Sequence, residues 1–270
     1  MTAAAGDALG RVAAFGAHAA VVFGSGLAGL PPGAAVKAEL GYEELGWPCT
    51  AVPGHRNVLQ LVELAAGVAG GLRLALACGR PHGYEGWPRV ELERPVRSLA
   101  AAGVSRFVLT NSCGALRPEV MPGEVVSCSA VVDLQAPPAA TVPLRLAVCS
   151  PAEAAAVAAA MAPAPSRSGV YVAVAGPQFE TPAEVAWLAG HGDVVGMSTA
   201  PEVRAARAAG AACCLLALVV NRAAAVGSHE DVLAYGGRLA GTLAAGLGAV
   251  VMAHWPGWCD AAVEDAPWTS

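Results

Sequence analysis

The feature that most constrains this chain is a succession of short apolar runs, rich in Val, Ala and Leu, each bounded by turn residues. Ala19–Phe23, Asn57–Leu64, Leu72–Ala77, Arg106–Thr110, Glu124–Val132, Leu144–Cys149, Val170–Ala175, Asp193–Met197 and Cys213–Asn221 read as strands. Between several of them lie helical segments, at Pro95–Ala102, Pro151–Met161, Pro182–Ala189, Pro201–Ala209 and His229–Ala253. A strand that is apolar on both sides of its pleat must be covered on both faces, and intervening helices are the natural cover. The pattern predicts an α/β fold in which a largely buried sheet carries helices on both faces.

Composition removes several alternatives. With 55% hydrophobic and 14% charged residues the chain buries enough apolar surface to fold. A net charge of −5 with scattered basic residues argues against a nucleic-acid partner. Eight Cys without a Cys-x-x-Cys pair predict reduced thiols and no zinc ribbon, and adjacent Cys213 and Cys214 read as small buried hydrophobes. Val12–Leu30 is long and nearly uncharged, but Gly16, Gly24, Gly26 and Gly29 point to helix, strand and turn and not to a membrane span. The start lacks a basic region of the secretory kind, so a cytoplasmic protein with no membrane partner is expected. The organisation expected is one domain over residues 1–255 and a tail over 256–270.

Three helix starts carry one signal: Thr181-Pro182-Ala183-Glu184, Thr199-Ala200-Pro201-Glu202 and Ser228-His229-Glu230-Asp231 match a capping box or its Asp variant. Polar candidates stand beside each, Glu180 and Ser198 before the cap and His229 after it. Strand ends that open into helices are where open α/β sheets place ligands.

Gly24-Ser25-Gly26-Leu27 follows the first strand. Its glycines permit a sharp turn and close approach to an anion, and the Ser25 hydroxyl can donate. It lacks the Gly-Lys-Ser/Thr of a Walker loop, and Pro31-Pro32-Gly33 opposes the helix that a dinucleotide fingerprint needs. By itself it equally fits a tight structural turn. In Gly79-Arg80-Pro81-His82-Gly83-Tyr84-Glu85-Gly86, Arg80, His82 and Tyr84 alternate and would project to one side of an extended segment, with Arg80 and His82 as donors to an anion. Ala175–Thr181 and Gly196–Thr199 are strand-to-helix turns that carry Phe179, Glu180, Met197 and Ser198. Asn221 closes an apolar run with an amide able to read a heterocycle edge, and His55 lies in a turn after Val52-Pro53-Gly54.

Taken together, GSGL at 24–27, VPGH at 52–55, GRPHGYEG at 79–86, TNSCGAL at 110–116, VAGPQFET at 174–181, VGMSTAPEV at 195–203, Asn221 and SHEDVL at 228–233 resemble the trimeric purine nucleoside phosphorylases, in the family's order. The resemblance implies a three-layer α/β/α sandwich with a central mixed β-sheet, a homotrimer, and phosphate and a nucleoside as the small-molecule ligands. It implies no metal and no organic cofactor. Ser25, His55, Arg80, His82 and Ser198, with the backbone near Ser112, would surround phosphate. Tyr84 and Met197 would pack on the ribose, and His229 would bond its 5′-hydroxyl. Cys113, Gly114 and Phe179 would face the purine, while Glu180 and Asn221 would bond its edge. Asn221, Glu180 and His82 would carry the chemistry.

The related methylthioadenosine phosphorylases have Asp at the position of Asn221, so Glu180 with Asn221 implies a 6-oxopurine. A phosphorylase for adenosine-type or 5′-modified nucleosides, and a non-catalytic binding homologue, are the competing readings. The segment Leu134–Ser168 and the connection Asn221–His229 are shorter than in typical relatives, Ser112-Cys113-Gly114-Ala115 replaces a glycine-rich run, and Arg222 stands where Lys is common. Shortened lids imply a more open nucleoside pocket.

Overall fold

The computed structural model describes residues 3–64, 71–135, 144–224 and 229–253. The chain runs α1 (Ala3–Phe15), β1 (Ala19–Val22), β2 (Ala34–Gly41), β3 (Val58–Leu64), β4 (Arg73–Cys78), a 3₁₀ turn (Gly83–Glu85) and α2 (Arg89–Ala101). It continues β5 (Arg106–Ala115), β6 (Val125–Asp133), β7 (Leu144–Ala147), α3 (Pro151–Ala160), β8 (Ser166–Ala173), α4 (Pro182–Leu188), β9 (Val194–Gly196), α5 (Ala200–Ala208), β10 (Ala212–Arg222) and α6 (His229–Ala253).

Alternation along the strands divides the interior into two cores. Ala20, Val22, Leu215, Ala217 and Val219 face one core, shared with α1, α2 and α5. Ala19, Val21, Cys214, Leu216 and Leu218 face the other, filled by α3 and by Leu239, Leu243, Leu247 and Val250 of α6. Side chains two apart point the same way along a strand, so each apolar run fills both cores. The result is the expected three layers with helices on both faces. The sheet is mixed: β1 runs parallel to β4 and β5, whereas β2, β3 and β4 pair antiparallel.

Part of the sheet closes on itself. β5 pairs β10, β10 pairs β6, β6 pairs β8, β8 pairs β9, and β9 returns to β5. This ring forces a split along β5. Phe107–Leu109 pair with β1, Gly114 and Ala115 pair with β9, and the residues between lie where the two neighbours diverge. A gap of this kind at the carboxyl ends of strands is a topological switch point, the usual seat of a ligand in α/β sheets.

Several expectations are corrected. The helix expected from Pro95 begins at Arg89, with Pro95 inside it. A proline there removes one backbone bond, and buried Val96 and Leu99 offset that loss. β5 continues through Asn111 and Ser112 to Ala115, because pairing with β10 along its length satisfies the backbone of these polar residues. β8 begins at Ser166, held by β6. β2 escaped the reading because it is an edge strand whose residues are largely exposed, so it lacks an apolar run. The seven described cysteines are free, and Cys213 and Cys214 are buried in β10 as expected. No helix among the described residues is long and apolar enough to cross a membrane.

Candidate active site

A cleft of about 340 Å³ opens at the split in β5. It is lined from the ends of six strands: Gly24 and Ser25 after β1, Arg80, His82 and Tyr84 after β4, Asn111 to Gly114 within β5, Phe179 and Glu180 after β8, Met197 and Ser198 after β9, and Asn221 at the end of β10. Twelve of the residues expected from the sequence therefore meet in one cavity: Ser25, Arg80, His82, Tyr84, Ser112, Cys113, Gly114, Phe179, Glu180, Met197, Ser198 and Asn221.

One end is rich in hydroxyls. The turn at Gly24 packs so closely on β5 that a Cβ there would lie 2.7 Å from Asn111 Cα. Gly24 N–H donates to Thr110 Oγ1 at 3.2 Å, and Thr110 in turn donates to the Val22 carbonyl at 3.1 Å. No helix follows the turn, so the dinucleotide reading is excluded. Ser112 Oγ donates to the Ser25 carbonyl at 3.3 Å. Ser25 Oγ shares a 3.0 Å hydrogen bond with His55 Nε2. His55 thus sits behind Ser25.

Arg80 is 2% exposed. Its Nη1 donates to Ser198 Oγ at 3.1 Å and Thr199 Oγ1 at 2.9 Å, and its Nη2 to the Val22 carbonyl at 3.3 Å. Nε lies 3.0 Å from Glu202 Oε1, an ion pair within the protein interior. The capping box expected at Thr199 and Glu202 is therefore not formed. Thr199 has φ +76° and makes no side-chain cap, because its hydroxyl accepts from Arg80 and from Asn111 Nδ2 and Glu202 pairs with Arg80. A buried guanidinium outcompetes a helix-end N–H for a nearby carboxylate. The box at Thr181 and Glu184 is present as expected. The third expected box starts at Ser228, outside the described residues.

His82 does not continue an extended run with Tyr84. It caps the 3₁₀ turn Gly83–Glu85, which brings the Tyr84 ring into a stack on the imidazole with centroids 4.8 Å apart. Glu85 organises this corner. Its carboxylate accepts from His82 N–H at 2.8 Å, Thr50 Oγ1 at 2.8 Å and Ala51 N–H at 3.0 Å, and lies 3.4 Å from His82 Nδ1. Burial alone would raise this carboxyl, but the hydrogen bonds from His82, Thr50 and Ala51 outweigh it and hold the pKa at about 2. Burial, with Glu85 adjacent, pushes the Tyr84 phenol up to about 12, so it stays neutral.

The opposite end is less polar. Phe179 is 42% exposed on the segment before α4, and burial, followed by the nearby charge of Glu184, raises the Glu180 carboxyl above the ordinary range. Asn221 Nδ2 donates to the Arg222 carbonyl at 3.0 Å. A Cβ at Gly176 would meet Met197 Sδ at 2.4 Å, so this glycine lets the two cleft-lining turns approach. His229 is the first residue of α6; the placement of its side chain, and residues 136–143 and 225–228 of the two segments expected to be shortened, fall outside the described residues.

The profile of the phosphorylase superfamily matches residues 26–251. A purine nucleoside phosphorylase of Mycobacterium tuberculosis is 37% identical over 86% of this chain and 88% of its own length. The chain belongs to the purine nucleoside phosphorylases. The enzyme of Bos taurus is 31% identical over 80% of this chain and 82% of its own. A Schistosoma purine nucleoside phosphorylase crystallised with hypoxanthine superposes with a TM-score of 0.73 at 25% identity, covering 93% of this chain and 98% of that one.

As a purine nucleoside phosphorylase the chain is a pentosyltransferase. Three of its cleft-supporting residues escaped the sequence reading: Glu202, Thr199 and Tyr42. Tyr42 donates to the Gly79 carbonyl at 2.6 Å and so fixes the strand end that presents Arg80. Thr199 and Glu202 read as a helix cap and Tyr42 lies in no motif, so only their partners across the fold expose their part in the cleft.

Proposed function

We propose that this purine nucleoside phosphorylase acts on 6-oxopurine nucleosides, inosine and guanosine, and needs no metal or organic cofactor. The observation that carries the reading is a single cleft with hydroxyls, Arg80 and His82 at one end and Phe179, Glu180 and Asn221 at the other. Phosphate takes the hydroxyl end, on Ser25, Ser198, His82 and the backbone near Ser112, with His55 supporting Ser25. The ribose lies over Tyr84 and Met197, with His229 toward its 5′ end. The purine lies against Phe179, Cys113 and Gly114.

A phosphate oxygen bonds to C1′ as the C1′–N9 bond breaks, and the bonding pair leaves with the base. Phosphate stabilises the positive charge on the sugar, and preorganised polar groups at Glu180 and Asn221 stabilise the base as its charge grows. Holding both reactants in one pocket removes the entropic cost of their encounter. The phosphate gives up its proton as the ester forms and the departing base takes one up at a ring nitrogen, so the products are a neutral purine and ribose 1-phosphate. A homotrimer in the cytoplasm is the assembly and location we propose.

One observation favours a second reading. Asn221 Nδ2 is engaged by the Arg222 carbonyl, and an amide whose N–H₂ group is so engaged offers its oxygen, an acceptor, as a 6-amino base requires. One solved Schistosoma mansoni purine nucleoside phosphorylase is in complex with adenosine. Incubation with inosine, guanosine, adenosine and 5′-modified nucleosides, with and without phosphate, separates the two. Base release from inosine and guanosine that requires phosphate and survives chelators supports the first; preference for adenosine overturns it. Sedimentation of the purified chain tests the trimer.

A further inference from the structure

We propose that Glu202 sets the phosphate affinity of this site by neutralising Arg80. The inference rests on the assignment of phosphate to the hydroxyl end of the cleft. Among the described residues, Arg80 supplies the permanent positive charge of the cleft lining. That charge is largely spoken for. Nη1 is committed to Ser198 and Thr199 and Nη2 to Val22, which leaves a single Nη2–H of the fork. The carboxylate of Glu202, 5% exposed, stands 3.0 Å from Nε on the side away from those hydroxyls.

The consequence is a phosphate site whose permanent cation, Arg80, is compensated from behind. Arg80 then works chiefly through Ser198 and Thr199, orienting and polarising their hydroxyls, and the dianion meets donors with little net formal charge. A dianion that is not neutralised by its site keeps its own charge to stabilise the cationic sugar, and it leaves readily as ribose 1-phosphate. Glu202 is therefore a positioning and charge-setting residue and does not touch substrate.

The test is Glu202→Gln, which keeps the shape and removes the charge, beside Glu202→Asp, which keeps the charge. An unshielded Arg80 attracts the dianion through a poorly screening interior. Glu202→Gln should lower the KM for phosphate about tenfold and lower kcat as the phosphorylated sugar is retained. Glu202→Asp should hold the phosphate KM within about twofold of wild type, because the charge remains. An unpaired buried cation also destabilises the ligand-free protein, so phosphate should raise the Tm of Glu202→Gln more than that of wild type. If Glu202→Gln is folded and its phosphate KM is unchanged or raised, the proposal is overturned. If it is unfolded without phosphate, recovery of folding on phosphate titration supports the proposal and failure to recover overturns it. If wild type itself shows no phosphate-linked rise in Tm, the placement of phosphate fails instead.

Discussion

Glu85→Gln offers a quantitative test of how the phosphate corner is held. The carboxylate accepts from Thr50, Ala51 and the His82 backbone and lies beside the His82 imidazole. Its pKa of about 2, against an ordinary 4.5, corresponds to about 3 kcal/mol of preference for the ionised folded state. Partial access to solvent screens that figure, and about 1–2 kcal/mol is the expected loss at pH 7. Gln keeps one acceptor oxygen but turns an N–H₂ group toward groups that themselves donate. The sign follows from linkage. A depressed folded pKa contributes stability that is fully present above the unfolded value and lost as pH falls through the folded one. The stability gap between wild type and Glu85→Gln should therefore be constant above about pH 5 and close between about pH 4.5 and 2. Urea unfolding at a series of pH values measures it. A gap that is absent at pH 7, or that fails to narrow in acid, would refute the account of Glu85. In the same variant the His82 ring loses its anchor, and the phosphate KM should rise.

Other substitutions probe neighbouring contacts. Gly24→Ala places a Cβ 2.7 Å from Asn111 Cα and 3.2 Å from the Thr110 carbonyl, both backbone, so β1 and β5 must part. A loss of about 1–3 kcal/mol in denaturant unfolding and a raised phosphate KM are expected. Thr110→Val removes the hydroxyl that joins Val22 to Gly24, leaving the Gly24 N–H without its acceptor while the Val22 carbonyl keeps only Arg80 Nη2. It should cost about 1–3 kcal/mol, and an unchanged urea midpoint would contradict the bridge. Asn221→Ala should reduce turnover more than phosphate affinity, whereas Ser25→Ala should chiefly raise the phosphate KM; steady-state kinetics with the reverse pattern would mean the two ends of the cleft are misassigned.

Much of this protein is local in origin and was legible as such. The apolar runs predict strands because a pleat buried on both faces needs apolar residues at every position, and nine of the described strands arise from them. Thr181 and Glu184 predict a cap because the whole motif spans one helical turn. Ser25, Arg80, His82 and Ser198 could be picked out because glycine-flanked polar residues at strand ends have few structural uses, and the structure brings them to one cavity. The edge strand β2, with its exposed pattern, shows the limit of that logic.

What remained was decided by contacts between residues far apart in the chain. Thr199 and Glu202 have the spacing of a capping box, yet both are taken by Arg80, which arrives from the end of β4. The ring from β5 through β10, β6, β8 and β9 depends on hydrogen bonds between strands whose partners no local pattern specifies. Closing that ring splits β5 from its neighbours and makes the cleft. Residue type and spacing along the chain therefore determined the strands and the donors, and only the tertiary structure decided which carboxylate faces which cation. Electrostatic pairing is settled by distance in space, and folding alone sets that distance.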